Sequence, residues 1–343
     1  MKDVVKKGLL TLILFLGVVA LFSFVADLRA LAGSLDRYAA WTAAVALVLA
    51  AGNYGLRFLR WQLYLRVLGI SRKPQGAADL SSSADVSLGY SLAVFLSGFA
   101  FSVTPGKIGE VAKGAFLYRT HGISLAVTAP VVIAERLTDF VGILMLCLAG
   151  VISTRYGLEV IVVAGGFLLG SVILLNFRPV AMTLLDWMAY VPLLRRAVAV
   201  MRKSYESMAL LVRPDLLLVA TVLSAGAWFL ECWALHIVLT GFEATSSTVL
   251  KSTFIYAFST IAGALTMLPG GLIFTEGSMI LLLEKVFQLA PSRETAVAAT
   301  LVIRCCTLWF AVAIGFVALA FLRRMMRAFA EKAGNLDTGP TPY

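Results

Sequence analysis

The sequence predicts an all-α polytopic membrane protein, with about six full spans and two Pro-Gly-broken re-entrant helical hairpins arranged as an inverted repeat. Three observations carry this expectation. Of the 343 residues, 60% are hydrophobic and 14% charged, and the mean hydropathy is +0.91, which leaves too little charged surface for a soluble domain of this length. Apolar runs recur at spanning length, and two of the longest are interrupted near the middle by Pro-Gly.

The first run, "GLLTLILFLGVVALFSFVA" from Gly8, has the length needed to cross the hydrocarbon core. Lys2, Lys6 and Lys7 precede it and "ALAG" at Ala30 to Gly33 follows, a pattern that resembles a signal peptide. The run is longer than a usual signal core and the small-residue site lies well beyond its end, so an uncleaved span is expected. Further apolar segments fall at 39–66, 89–119, 122–152, 157–176, 214–240, 250–288 and 294–322. Pro105-Gly106 interrupts the third segment and Pro269-Gly270 the seventh.

Lysine and arginine placement sets the topology. Basic clusters occur at the N-terminus, at Arg57 to Lys73, at Arg178 to Arg213, and at Arg323 to Lys332. All four lie on the cytoplasmic side only if each interrupted segment crosses an even number of times. The pieces flanking Pro105-Gly106 fall short of the roughly 20 residues a span requires, which favours re-entrant hairpins. Both termini are then cytoplasmic, in the cytoplasmic (inner) membrane. The expected organisation is one transmembrane domain over 1–330, with repeat one at about 39–152 and repeat two at about 214–323. A basic interfacial connection runs over 177–213, and 331–343 form a disordered tail.

The repeat is read from order rather than identity. "RWQLYLRVLG" from Arg60 aligns with "CWALHIVLTG" from Cys232, and each is followed by a Pro-Gly break and then by a long span containing an arginine, Arg136 or Arg304. By the charge topology the two units run in opposite directions. Inverted repeats with broken helices point to a transporter's substrate site near the midplane.

Charges inside such segments cost several kcal/mol each, about 2.5–3.5 for Arg or Asp at a helix centre, so their accumulation marks function. Lys107, Glu110 and Lys113 follow the first break at intervals of three; Glu135, Arg136 and Asp139 lie deep in the next span; Glu276 follows the second break and Arg304 lies in the last span. With Pro105, Gly106, Gly109, Pro269 and Gly270 shaping the breaks, these are the candidate substrate-binding residues. Half-helix N-termini and the three cations Lys107, Arg136 and Arg304 suit an anionic head group, most simply a phosphate. The carboxylates would balance the field, bind a cationic group, or carry a coupling proton. Arg57, Arg60 and Arg66 read most simply as side chains reaching the inner interface, and Glu231 as a buried acid.

Other classes are excluded by what the residues lack. The net charge of +10 sits beside apolar spans, as membrane topology demands, so nucleic acid is not an expected partner. "TPGKIG" misses the pattern of a nucleotide-binding loop. Two histidines and four cysteines, all four within apolar segments, make no metal or redox motif; the cysteines are expected as small buried hydrophobes, and no cofactor is expected. No nucleophile–base set suggests an enzyme.

The stretch "FLSGFAFSVTPGKIGEVAKGAFLYRTHGISLAVTAPVVIAERLTDFVGIL" resembles the first signature of the lysylphosphatidylglycerol synthase transmembrane region, or flippase-like, family. "LTMLPGGLIFTEGSMILLLEKVF" with "LVIRCCTLWF" resembles the second, though "LIFTEGS" departs from its usual glycine-rich pattern. The resemblance implies a lipid translocase for an anionic or phosphate-bearing lipid, such as a polyprenyl-phosphate-linked sugar, an aminoacylated phospholipid or a hopanoid-type lipid. Its partners would be that membrane lipid and a glycosyltransferase or lipid-modifying enzyme. The alternative is a non-transporting lipid-binding subunit or scaffold. No synthase domain follows the last span, so synthase activity is not expected. The residues leave oligomeric state, direction and energy coupling open.

Overall fold

The computed structural model describes residues 28–70, 86–104, 109–154, 195–242 and 247–337, with isolated positions between 162 and 187. The expected spans at 8–26 and 157–176, the stretch 177–194, and Pro105, Gly106 and Lys107 at the first break lie outside the described residues. Among the described residues every regular element is helical. In chain order these are α1 (Leu28–Asp36), α2 (Trp41–Val67), α3 (Leu88–Gly98), α4 (Ala112–His121), α5 (Leu125–Thr154), α6 (Arg195–Leu211), α7 (Pro214–Thr240), α8 (Val249–Leu265), α9 (Phe274–Leu281), α10 (Arg293–Arg304) and α11 (Phe310–Asp337).

Helix starts follow from local chemistry. The side chains of Ser87, Thr248 and Ser292 accept from backbone N–H groups of Tyr90, Lys251 and Thr295, capping α3, α8 and α10. Pro214 opens α7 at a position that needs no donor. Among the described residues three helices are long and apolar enough to cross a membrane by length and composition: α2, α7, and the joined α10–α11 over Arg293–Arg327. α5 is as long, with 30 residues, but carries Glu135, Arg136 and Asp139. The pieces Leu88–Phe101 and Val249–Leu265 are shorter, at roughly 21 and 26 Å by helical rise, under the roughly 30 Å of a hydrocarbon core.

Packing has a crossed pattern. α2 packs along α7, α5 along α8, and α11 along α3. Close approaches recur at matching places. On α5, Gly150 abuts Phe254 of α8; on α11, Gly315 abuts the backbone at Phe99 and Ala100, where α3 passes into a 3-10 turn. The core forms two clusters that interlock: Val103, after α3, packs in the cluster of α7 to α10, while Ala311 and Leu322 of α11 pack in the cluster of α2 and α3.

One expectation needs correction. Cys147, Cys232 and Cys306 are buried, but Cys305 is exposed. A π turn over Cys305–Trp309 joins α10 to α11, and its extra residue turns Cys305 outward. α11 runs to Asp337, and 338–343 of the expected tail lie outside the described residues.

Candidate functional site

Asp139, in the middle of α5, gathers three arginines from two helices. Its Oδ2 accepts from Arg57 Nη2 at 2.7 Å and lies 3.0 Å from Arg136 Nη2; its Oδ1 accepts from Arg60 Nη1 at 2.7 Å. Arg57 and Arg60 are one turn apart on α2, and Arg136 and Asp139 one turn apart on α5, so two helical faces meet charge to charge. Ser224 Oγ on α7 donates to Asp139 Oδ1 at 2.8 Å. That contact needs α5 and α7 close together, and Gly142, one turn from Asp139, provides the approach: a Cβ there would stand 2.8 Å from the backbone N of Ala225.

The network continues to Glu110 and Lys113, before and within α4. Arg136 Nη2 lies 3.3 Å from Glu110 Oε2, Lys113 Nζ lies 3.7 Å from the same oxygen, and Lys113 donates to Glu135 Oε2 at 2.6 Å. Glu135 and Asp139, which share a face of α5, thus serve different cations. Lys113 is also 4.7 Å from the centre of the Trp61 ring, a cation–π contact. Four cations and three carboxylates are fixed here, nearly all buried; Arg136 is the exception, with 26% of its side chain exposed. Burial of ion pairs at this depth requires that every charge keep its partners.

The second half carries a smaller counterpart. Arg304, at the end of α10, places Nε 2.6 Å from Glu276 Oε1 and donates from Nη2 to the carbonyl of Gly270 at 2.9 Å. In both places a glutamate shortly after a Pro-Gly in the sequence pairs with an arginine further along the chain: Glu110 with Arg136, Glu276 with Arg304. Glu276 lies in the first turn of α9, where its own carboxylate meets the positive end of that short helix. The turn before it is unusual. Met267, Gly270, Gly271 and Ile273 all have positive φ, at 55°, 62°, 66° and 76°.

Both arginines border one cavity of about 730 Å³. Its polar wall includes Arg57, Arg136, Asp139, Glu231 and Arg304, and its apolar wall comes from α5, α8 and the turn after α8. Glu231 accepts from Tyr256 OH at 2.7 Å and is close enough to Arg57 to interact electrostatically. Tyr54 OH donates to the carbonyl of Thr307 inside the π turn at 3.0 Å, fixing α2 to the last span beside the cavity.

Of the residues singled out from sequence, Arg136, Asp139, Gly270 and Arg304 border the cavity, while Glu110, Lys113, Glu135 and Glu276 stand behind them as bonded partners. Gly109 donates its N–H to Thr104 Oγ1 at 2.9 Å, and Thr104 borders the cavity; Pro269 opens the turn before α9. Lys107 lies outside the described residues. Sequence reasoning missed Arg57 and Arg60, read as reaching the interface; only Arg66 of the three is exposed. Arg57 lies ten residues before Val67, about 15 Å along the helix, too deep for its side chain to surface, and that depth was the available signal. Among the described residues no group of three or more His, Cys, Asp or Glu is arranged to hold a metal ion.

Comparison with curated proteins and with solved structures gives no match. A family model described as "Lysylphosphatidylglycerol synthase TM region" matches residues 9–315. With that match over most of its length, and with apolar helices long enough to cross a membrane, this chain belongs to the lysylphosphatidylglycerol synthase transmembrane-region family of membrane proteins.

Proposed function

We propose that this protein is a lipid translocase that moves an anionic, phosphate-bearing lipid between the leaflets of the cytoplasmic membrane. One observation carries the reading: Arg136 and Arg304, one from each half, border the same cavity, and each is held by a glutamate from its own hairpin. A phosphate arriving between them would be met from both sides by guanidinium groups, whose planar fork suits phosphate oxygens. Tyr54, Tyr256 and Thr275 also border the cavity, and its apolar wall accommodates the glycerol or isoprenoid carbons next to the phosphate.

In this reading the chain has six full spans and two re-entrant hairpins, with both termini cytoplasmic, and the halves form an inverted repeat. The crossed packing of α5 on α8 and α11 on α3 supports the repeat, since exchanging the halves maps one contact onto the other. The aligned tryptophans do not: Trp61 is fully buried and Trp233 is 41% exposed. The protein is then a transporter and not an enzyme; its partners are the lipid and the enzyme that makes or consumes it. Rocking of the two halves would expose the head-group site to each leaflet in turn.

Native mass spectrometry of the protein in mild detergent tests the site. A single anionic lipid class bound to wild type and lost in Arg136→Gln is the expected result. Bulk lipid, identical in both, would sink the reading and favour a structural subunit.

A further inference from the structure

The cavity is open on one side. Ile133 on α5 and Leu265, Met267 and Leu268 at the end of α8 and the start of the following turn border the cavity, yet they are 53%, 43%, 61% and 37% exposed. A side chain that both borders a cavity and faces outward lies on its rim. All four rim residues are apolar: Ile133 lies on α5, Leu265 at the end of α8, which packs along it, and Met267 and Leu268 on the turn that follows, so the rim is suited to hydrocarbon. The charged groups Arg57, Arg136, Asp139 and Arg304 also border the cavity but are buried or largely so. One chamber therefore offers a polar interior and a greasy doorway.

Size sharpens the point. Pockets of roughly 300–1,000 Å³ enclose one drug-sized ligand, and at about 730 Å³ this cavity holds a head group and its linker but not a whole lipid. The remaining hydrocarbon must lie outside, and the rim is where it would leave. The backbone supports a built feature. Met267 and Ile273 hold positive φ, a conformation that bulky residues adopt only when their surroundings enforce it. That strain shapes the turn on which Met267 and Leu268 reach the rim.

We propose that Ile133, Leu265, Met267 and Leu268 form the seat of the substrate's hydrocarbon tail, so that the protein selects an amphiphile by its head group and is indifferent to the tail beyond the rim. This rests on the translocase reading and adds to it: a soluble phosphate ester is not the cargo, because half of the binding surface would go unused.

The test uses purified protein in phosphatidylcholine vesicles containing phosphatidylglycerol with a photoreactive diazirine in mid-chain, with labelled residues mapped by peptide mass spectrometry. Labelling should concentrate on the peptides holding Ile133 and Leu265–Leu268, and Arg136→Gln should reduce it at least about five-fold. Even labelling of all lipid-facing positions, such as Val48, Leu218 and Val317, overturns the seat. In parallel, transbilayer movement of a fluorescent phosphatidylglycerol is followed by dithionite quenching. Ile133→Trp and Met267→Trp, which remove no charged group of the network, should each slow it about ten-fold. Movement in wild type that both variants leave unchanged overturns the seat alone. No movement in wild type overturns the translocase reading instead. Glycerol 1-phosphate that displaces the photolipid as well as unlabelled phosphatidylglycerol does would show that the tail adds nothing, and that too rejects the proposal.

Discussion

Arg57 and Asp139, 82 residues apart in sequence, meet at 2.7 Å inside the protein and lock α2 to α5. The pair sits beside the cavity and is buried, so its loss cannot be made good by water. Because Asp139 also holds Arg60 and Arg136, it is the acid on which most of the network depends.

Asp139→Asn should therefore be the most damaging single neutralisation. It leaves buried arginines without their carboxylate, and breaking a buried pair costs roughly 3–5 kcal/mol. The expected outcome is a large fall in thermal stability in detergent, read by static fluorescence or size-exclusion survival after heating. Arg136→Gln, at a side chain already partly exposed to the cavity, should cost much less stability while still affecting lipid binding.

Gly142→Ala tests the helix approach. The added methyl would press on the backbone of α7 at Ala225, and such overpacking costs about 1–3 kcal/mol. Ser224→Ala removes only the hydroxyl that donates to Asp139, for about 1.5–3 kcal/mol as a bond to a charged group. Since both act through the same contact, the double variant should lose less than the sum, as a thermal-stability cycle would reveal.

Lys113 and Glu135 should couple strongly. Both side chains are almost fully buried and 2.6 Å apart. Either Lys113→Met or Glu135→Gln alone should destabilise by several kcal/mol, while Lys113→Met with Glu135→Leu should recover part of the loss, because an apolar pair replaces a buried ion pair at little cost. A double variant worse than both singles would argue against the pairing.

Arg304→Lys should fail to substitute for arginine. The guanidinium serves Glu276 from Nε and the Gly270 carbonyl from Nη2, and a single ammonium cannot span both in that geometry. Loss of the second bond should loosen the turn at 267–273, seen as faster limited proteolysis or hydrogen exchange there. Gly270→Ala, at φ 62°, should loosen the same turn by about 1 kcal/mol of backbone strain without touching any charge.

Much of this was legible in the sequence because it depends on local rules. Composition identifies a membrane protein; Pro-Gly marks the breaks; i,i+3 spacing pairs Arg136 with Asp139. The cysteines show the limit: Cys305 and its neighbour are indistinguishable in sequence, and only the π turn separates exposed from buried. Arg60, seven residues from the end of α2, shows it again. A basic residue near a helix end can rise to the interface or turn inward, and the choice belongs to whichever acid the fold brings opposite.

By itself, then, the sequence determined that the chain is helical, apolar enough for a membrane, twice interrupted by Pro-Gly, and charged in places where charge is costly. Hydrophobicity, helix propensity and short-range spacing are properties of neighbours along the chain. Tertiary structure alone decided that α2 would supply Asp139 with two arginines, that Glu276 would neutralise Arg304, and that Arg136 and Arg304 would border one cavity. Those pairings join residues separated by 28 to more than 160 positions. Their partners are chosen by helix packing, where a glycine such as Gly142 sets how closely two helices come together.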